Sequence, residues 1–150
     1  MDENELNRRL KDVKRYIGSF AVDELTQIKF HDYPCFLIIN MDCRNWKGSH
    51  WIALAIYPQN LYICDSLGGI KPTKNISQEL VNFLKNISQF RNVCLTKQLQ
   101  SLTSSLRAEY CIVFVEEMSR RHSFKKFLDY FSDSFEDNDS LVQFLTKKTI

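Results

Sequence analysis

Gly48-Ser-His-Trp-Ile-Ala-Leu-Ala-Ile-Tyr57, Cys64-Asp-Ser-Leu-Gly68 and Leu99-Gln-Ser-Leu-Thr-Ser-Ser-Leu-Arg-Ala-Glu-Tyr-Cys111 decide how this chain folds. Trp51–Tyr57 and Leu61–Cys64 are short, apolar and rich in β-branched and aromatic residues, so they read as two strands. Pro58-Gln-Asn60 between them is a tight turn. Cys35-Phe-Leu-Ile-Ile-Asn-Met41 is a third run of the same kind. The nearly continuous apolarity of these runs predicts central strands covered on both faces. From about Leu106 to Arg121, Ile112, Val113, Val115 and Met118 describe a largely buried helix.

Outward from that centre, Glu3–Ile17 carries Leu6, Leu10, Val13 and Ile17 at spacings of three and four, which predicts an amphipathic helix. Ser77–Ile87 repeats Leu80, Phe83, Leu84 and Ile87 in the same way. Asn92–Lys97 reads as a further strand, and Phe124–Phe131 and Asp139–Lys147 as two more helices. A helix, a strand cluster and then several helices give an α+β class, with a mixed or antiparallel sheet packed against helices. No linker, repeat or low-complexity segment divides the chain, so residues 1–150 are expected to form a single domain.

Bulk properties narrow the function classes. Hydrophobic content of 44% and charged content of 25% are those of an ordinary globular protein. The longest apolar runs are too short to span a bilayer, so no membrane partner is expected. Five scattered cysteines, with no CxxC pair and no secretion signal at the start, suggest reduced thiols inside the cell, in cytoplasm or nucleus. Neither a metal nor a cofactor is expected. A net charge of +2 says little about partners. Basic clusters at Arg8-Arg9, Lys11, Lys14-Arg15, Arg120-Arg121-His122 and Lys125-Lys126 read first as solvated helix faces, with DNA contact as the weaker alternative. His31 and His122 belong to no motif and read as ordinary surface residues.

His50, Asp65 and Gln100 occur in an order with chemical meaning. A cysteine hydrolase needs a thiolate, an imidazole to move its proton, a carboxylate to orient that imidazole, and oxyanion donors. His50 opens one strand and Asp65 ends the next, so an antiparallel pairing would set them side by side. Gln100 precedes a polar loop, Ser101–Ser105, and a buried helix starts seven residues after it. A helix N-terminus favours a thiolate and an oxyanion, and a Gln amide supplies a further donor. Arg107 stands near the start of that helix, where a thiol would be favoured. Arginine stays protonated and cannot attack a carbonyl. Cys111 lies four residues further on, roughly 6 Å along the helix axis, among apolar neighbours. There a thiol is expected to be buried and inert. Ser104 and Ser105 suit helix-capping roles better than nucleophilic ones.

Taken together, these motifs resemble the adenovirus-type cysteine proteases (adenain), particularly the versions carried by Maverick/Polinton-type transposons and related large DNA viruses. That family shares Gly-[Ser/Thr]-His-Trp, Asp-Ser-[Leu/Phe/Tyr]-Gly and Gln-Ser-x-x-Ser-x-x-Cys-Gly-x-[Tyr/Phe]-Cys. Gly18-Ser-Phe and Pro34-Cys-Phe-Leu-Ile-Ile-Asn40 extend the match to about residues 16 to 118. The resemblance implies an adenain-like, papain-like fold. It makes His50 the general base, Trp51 its packing neighbour, Asp65 the orienting carboxylate and Gln100 the oxyanion-hole residue. It aligns Arg107 with the nucleophile and Ala108 with the glycine that follows. The expected function is a protease domain of viral or transposon origin that has lost catalysis, its parent activity being maturation cleavage of capsid or core proteins. A polypeptide would occupy the cleft, and a virion-associated location becomes an alternative to an intracellular one. Two other readings stay open: an active peptidase using another thiol, or with Arg107 an isolated substitution, and a non-enzymatic protein- or DNA-binding module.

Overall fold

The computed structural model describes residues 1–41, 50–68 and 77–147. At its centre three antiparallel strands form a meander: β2 (Cys35–Asn40), β3 (Trp51–Ile56) and β4 (Asn60–Cys64). The turn between β3 and β4 is closed by Tyr57 N–H donating to the Asn60 carbonyl at 2.8 Å. A parallel strand is added at each side, β1 (Tyr16–Ala21) on β2 and β5 (Asn92–Leu95) on β4. The result is a five-stranded mixed sheet in the order β1-β2-β3-β4-β5.

Alternation along the strands feeds two separate cores. Phe36, Ile38, Ala53, Ala55 and Cys64 point to one face, where they meet Leu6 and Leu10 of α1 (Glu3–Leu10) and the apolar side of α3 (Arg107–Arg121). Leu37, Ile39, Ile52, Leu54, Ile56, Leu61 and Ile63 point to the other. They are covered there by Leu80 and Ile87 of α2 (Gln78–Ser88) and by a short 3-10 helix, Val22–Gln27. Central strands buried on both faces are what the unbroken apolar runs predict. α3 is buried from Tyr110 to Val115, so both faces of this helix are enclosed rather than one stripe. Ala53 and Ala55 beneath it leave room for the helix to lie on β3. Each large side chain sunk here contributes roughly 1.5–3 kcal/mol. α4 (Phe124–Leu128) and α5 (Phe135–Lys147) complete that face.

The N-terminal segment differs from its sequence reading. The first helix stops at Leu10 instead of running to Ile17. Two turns follow, with Val13 N–H on the Leu10 carbonyl and Tyr16 N–H on the Val13 carbonyl, and Arg15 at φ 68° ends any helical path. Ile17 then lies in β1. The helical spacing of Val13 and Ile17 is real, yet parallel pairing with β2 decides their conformation. The 3-10 helix Val22–Gln27 has no counterpart among the expected elements, and α4 is shorter than the expected Phe124–Phe131.

Candidate active site

β3 and β4 bring His50 and Asp65 together. His50 is held at the mouth of β3, where its carbonyl accepts from Met41 N–H at 2.9 Å. Asp65 follows the last residue of β4. His50 Nε2 lies 3.1 Å from Asp65 Oδ1, with the carboxylate buried and the imidazole about a quarter exposed. When Nε2–H is donated to this carboxylate, Nδ1 is left as the basic ring nitrogen. Among the described residues the pair thus has the hydrogen bond that orients an imidazole for proton transfer.

Asp65 is fixed by more than its histidine. Its Oδ1 also accepts from Leu67 N–H at 3.1 Å, and Gly68 N–H donates to its carbonyl at 3.0 Å, closing the Asp65-Ser-Leu-Gly68 turn. Gly68 sits at φ +101°, and a Cβ there would stand 2.9 Å from Gln98 Cβ, so the turn needs glycine twice over. Thr96 clamps the backbone from the adjoining strand end: its hydroxyl accepts from Asp65 N–H and donates to the Asp65 carbonyl, both at 2.9 Å. The motif reading missed Thr96. A lone threonine in an apolar segment gives no signal until the register of β4 and β5 is known.

Gln100 is fully buried and tied to the same turn. The Ser66 hydroxyl donates to its Oε1 at 2.7 Å, and the Ser66 carbonyl accepts from both Leu99 and Gln100 N–H. Its Nε2 donates to the Ser104 carbonyl at 3.2 Å, so one amide hydrogen holds the loop that leads into α3.

Arg107 is the first residue of α3. Its Nη2 donates to the Leu102 carbonyl at 3.3 Å, turning the guanidinium toward the Ser101–Ser105 loop. The cap of this helix is Leu106, which has no side-chain capping bond. Ser104, expected as a cap, instead accepts from Leu106 N–H at 3.4 Å. Cys111, one turn deeper, is buried, and burial pushes its thiol well above the ordinary range, with the neighbouring Cys64, Asp65 and Glu109 raising it further. It therefore stays a protonated, inaccessible thiol at neutral pH. Cys35 and Cys64 are buried too, Cys94 is partly exposed, and Cys43 lies outside the described residues.

Of the basic clusters, Arg9 pairs with Glu116, Arg120 and Arg121 with the buried Glu117, and Lys125 with Asp129. His31 is exposed, whereas His122 caps α3 in a left-handed conformation and places Nδ1 3.1 Å from the Tyr57 hydroxyl. Among the described residues no group of three or more His, Cys, Asp or Glu side chains could hold a metal ion, and no helix is long and apolar enough to cross a membrane.

No protein-family model matches the chain, and no curated protein matches it. Solved structures do. The central domain of the uncharacterized Lpg1148 protein from Legionella pneumophila superposes with a TM-score of 0.53 at 12% identity, over 99% of this chain and 94% of that one. The SUMO protease Ulp1, in a structure with its catalytic cysteine oxidized to a sulfenic acid, gives 0.51 at 12% identity, over 95% of this chain and 72% of Ulp1. At such identity the likeness concerns the fold. The α+β architecture, with its mixed five-stranded sheet and helices on both faces, is a Ulp1-like, papain-like cysteine-protease fold.

Proposed function

We propose that this chain is a catalytically silent cysteine-protease domain whose retained cleft binds polypeptide. The observation that carries the reading is the occupant of the start of α3. Arg107 stands there, seven residues after a buried Gln100 and in a fold that also pairs His50 with Asp65. In this reading His50 is the residual general base, Asp65 its orienting group, Gln100 the residual oxyanion-hole residue and Arg107 the degenerate nucleophile position. Attack on a carbonyl carbon needs a nucleophile within about 3 Å of its base. A guanidinium has no lone pair to offer, and Cys111 is enclosed in the core. Proton-transfer groups without a nucleophile cannot form an acyl-enzyme.

The motifs around His50, Asp65 and Gln100 support descent from an adenain-type maturation protease of a virus or a Maverick/Polinton-type transposon. An intracellular or virion-associated location fits that descent. That the Ulp1 structure is of a SUMO protease supports a protein, rather than a small molecule, as the partner in the cleft. A DNA-binding role has less support, since Arg9, Arg120, Arg121 and Lys125 are paired with carboxylates.

The test is a peptidase assay of the unmodified chain beside an Arg107→Cys/Ala108→Gly variant, using a fluorogenic peptide library. The unmodified chain is expected to be silent and the variant to gain cleavage that iodoacetamide abolishes. Thiol-sensitive cleavage by the unmodified chain would overturn the reading.

A further inference from the structure

The two edges of the sheet are finished differently. β1 carries a bulge between Tyr16 and Gly18, with Gly18 at φ +131°, and α1 and the 3-10 helix pack against it. A bulge and a cover are common ways to prevent an edge from pairing. β5 has no bulge in its register with β4, no proline, and side chains open on both faces.

The register fixes which backbone groups face outward. Asn92 N–H donates to the Gln59 carbonyl and Thr96 N–H to the Ile63 carbonyl, so residues 92, 94 and 96 turn toward β4. Val93 and Leu95 therefore direct their N–H and C=O groups away from the sheet. Among the described residues nothing accepts from those two N–H groups. Their side chains lie on the α2 face, beside Leu61 and Ile63, and are 46% and 47% exposed. Phe90, just before the strand, is 98% exposed.

We propose that β5 is a self-association edge, pairing antiparallel with β5 of a second copy of this chain across a two-fold axis at Cys94. The sequence of the edge selects this occupant and this register. With Cys94 on the axis, Val93 faces Leu95 of the second copy, and Leu95 faces its Val93. All four half-exposed apolar side chains then meet one another, and each Val93 and Leu95 exchanges its outward backbone groups. Placing Val93 on the axis would set Leu95 against Arg91, and placing Leu95 there would set Val93 against Lys97. In the Cys94 register Arg91 and Lys97 are nominally opposite, but neither guanidinium nor ammonium is aimed across. Arg91 turns inward, donating to the Tyr57 carbonyl at 2.7 Å and the Ile87 carbonyl at 2.8 Å, while Lys97 reaches Asp133 at 3.1 Å. Two such sheets would join into one continuous ribbon, removing both bare edges at once.

The inference stands apart from the reading of the cleft and is tested on the full chain by sedimentation equilibrium under reducing conditions, from about 1 to 300 µM, a range suited to a small interface. A reversible dimer is expected. Val93→Lys and Leu95→Glu should each weaken it about tenfold or more, because a charge then faces an apolar partner. The double variant Val93→Lys/Leu95→Glu should restore it, since Lys then faces Glu at both positions, an outcome specific to the Cys94 register. Both side chains are half exposed, so the variants should keep the wild-type thermal unfolding midpoint. Cys94 provides a second readout. Thiols at a pair without hydrogen bonds come close enough to join, so diamide, taking up the two protons and two electrons released, should yield a disulfide-linked dimer that Cys94→Ser abolishes. A chain that stays monomeric throughout, or a dimer indifferent to the single charge variants, would overturn the proposal.

Discussion

The two halves of the candidate site are built to different standards. On the β3–β4 side Asp65 is held through its carboxylate by His50 and Leu67 and through its backbone by Thr96, and Ser66 ties Gln100 to the same turn. On the α3 side the helix opens at Leu106 with no side-chain cap, and Arg107 reaches back to a loop carbonyl. The difference lies in what each half does for the fold. Thr96, Ser66 and Gln100 satisfy buried polar groups, so removing them costs stability whether or not any reaction occurs. A nucleophilic thiol satisfies nothing that the fold requires. A site can therefore lose its attacking atom and keep its acid–base frame.

The sharpest way to break that comparison is to place a thiol at position 107. Arg107→Cys/Ala108→Gly should gain turnover over the unmodified chain, which on the proposed reading lacks covalent catalysis, a loss on the order of a million-fold in a comparable serine enzyme. Ala108→Gly is included because the resembled family carries a glycine after its nucleophile, where a missing Cβ lets the backbone approach a substrate closely. Within the active variant, His50→Ala should remove about 10²–10⁴-fold of the recovered rate, the usual contribution of a positioned base. The same change in the unmodified chain should alter no activity. If His50→Ala leaves the recovered rate intact, the imidazole is not part of the frame.

Gly68→Ala probes the turn that both halves share. Its positive φ costs about 1–3 kcal/mol in a residue with a side chain, and the contact with Gln98 adds to this. The denaturation midpoint should fall accordingly, and recovered activity should fall with it, because Asp65 moves with the turn.

The fold is expected to be sensitive to alkali. Burial pushes Cys35 up to about 11 and Tyr57 up to about 12, and raises Cys64 and Cys111 as well. The unfolded chain releases these protons first, near the ordinary values of 9.0 for a thiol and 10.0 for a tyrosine hydroxyl. Stability is then complete below about pH 9 and falls as pH rises toward 11, by up to about 1.4 kcal/mol per pH unit for each group in its window. Urea midpoints at pH 7, 9 and 10.5 should descend in that order. Iodoacetamide at pH 8 should label the partly exposed Cys94 well before Cys111.

Local pattern made the meander legible. The apolar runs of β2, β3 and β4 and the helical spacing of α2 and α3 appear at their expected places because burial on one or two faces dictates both composition and period. His50, Asp65, Gln100 and Arg107 could be singled out because each flanks one of these strongly patterned elements. β1 was hidden: Val13 and Ile17 continue the helical spacing of Leu6 and Leu10, and only a parallel pairing with residues about twenty positions away overrides it. The parallel edges of this sheet are long-range contacts with no signature inside their own short segments. Thr96 is obscure for the same reason, since its role depends on β5 lying beside β4.

Thr96 gives the smallest expected effect and the most selective one. Its hydroxyl occupies the space between two backbone groups of Asp65, and all three atoms are buried. Thr96→Val keeps the shape and removes the hydroxyl, leaving the buried Asp65 N–H without its acceptor and its carbonyl with Gly68 N–H alone, at a cost of about 1–3 kcal/mol. Thr96→Ser keeps the hydroxyl and loses one methyl group, a cost nearer 1 kcal/mol. If Thr96 acts only by filling space, valine should be the milder change and serine the worse. If it positions Asp65, the order reverses. In the Arg107→Cys/Ala108→Gly background only valine should then lower kcat, with KM little changed, because the carboxylate that orients His50 has lost its backbone clamp. Urea midpoints of the two variants, read beside kcat, separate a packing role from a positioning one, and equal losses in both would remove Thr96 from the frame of the site.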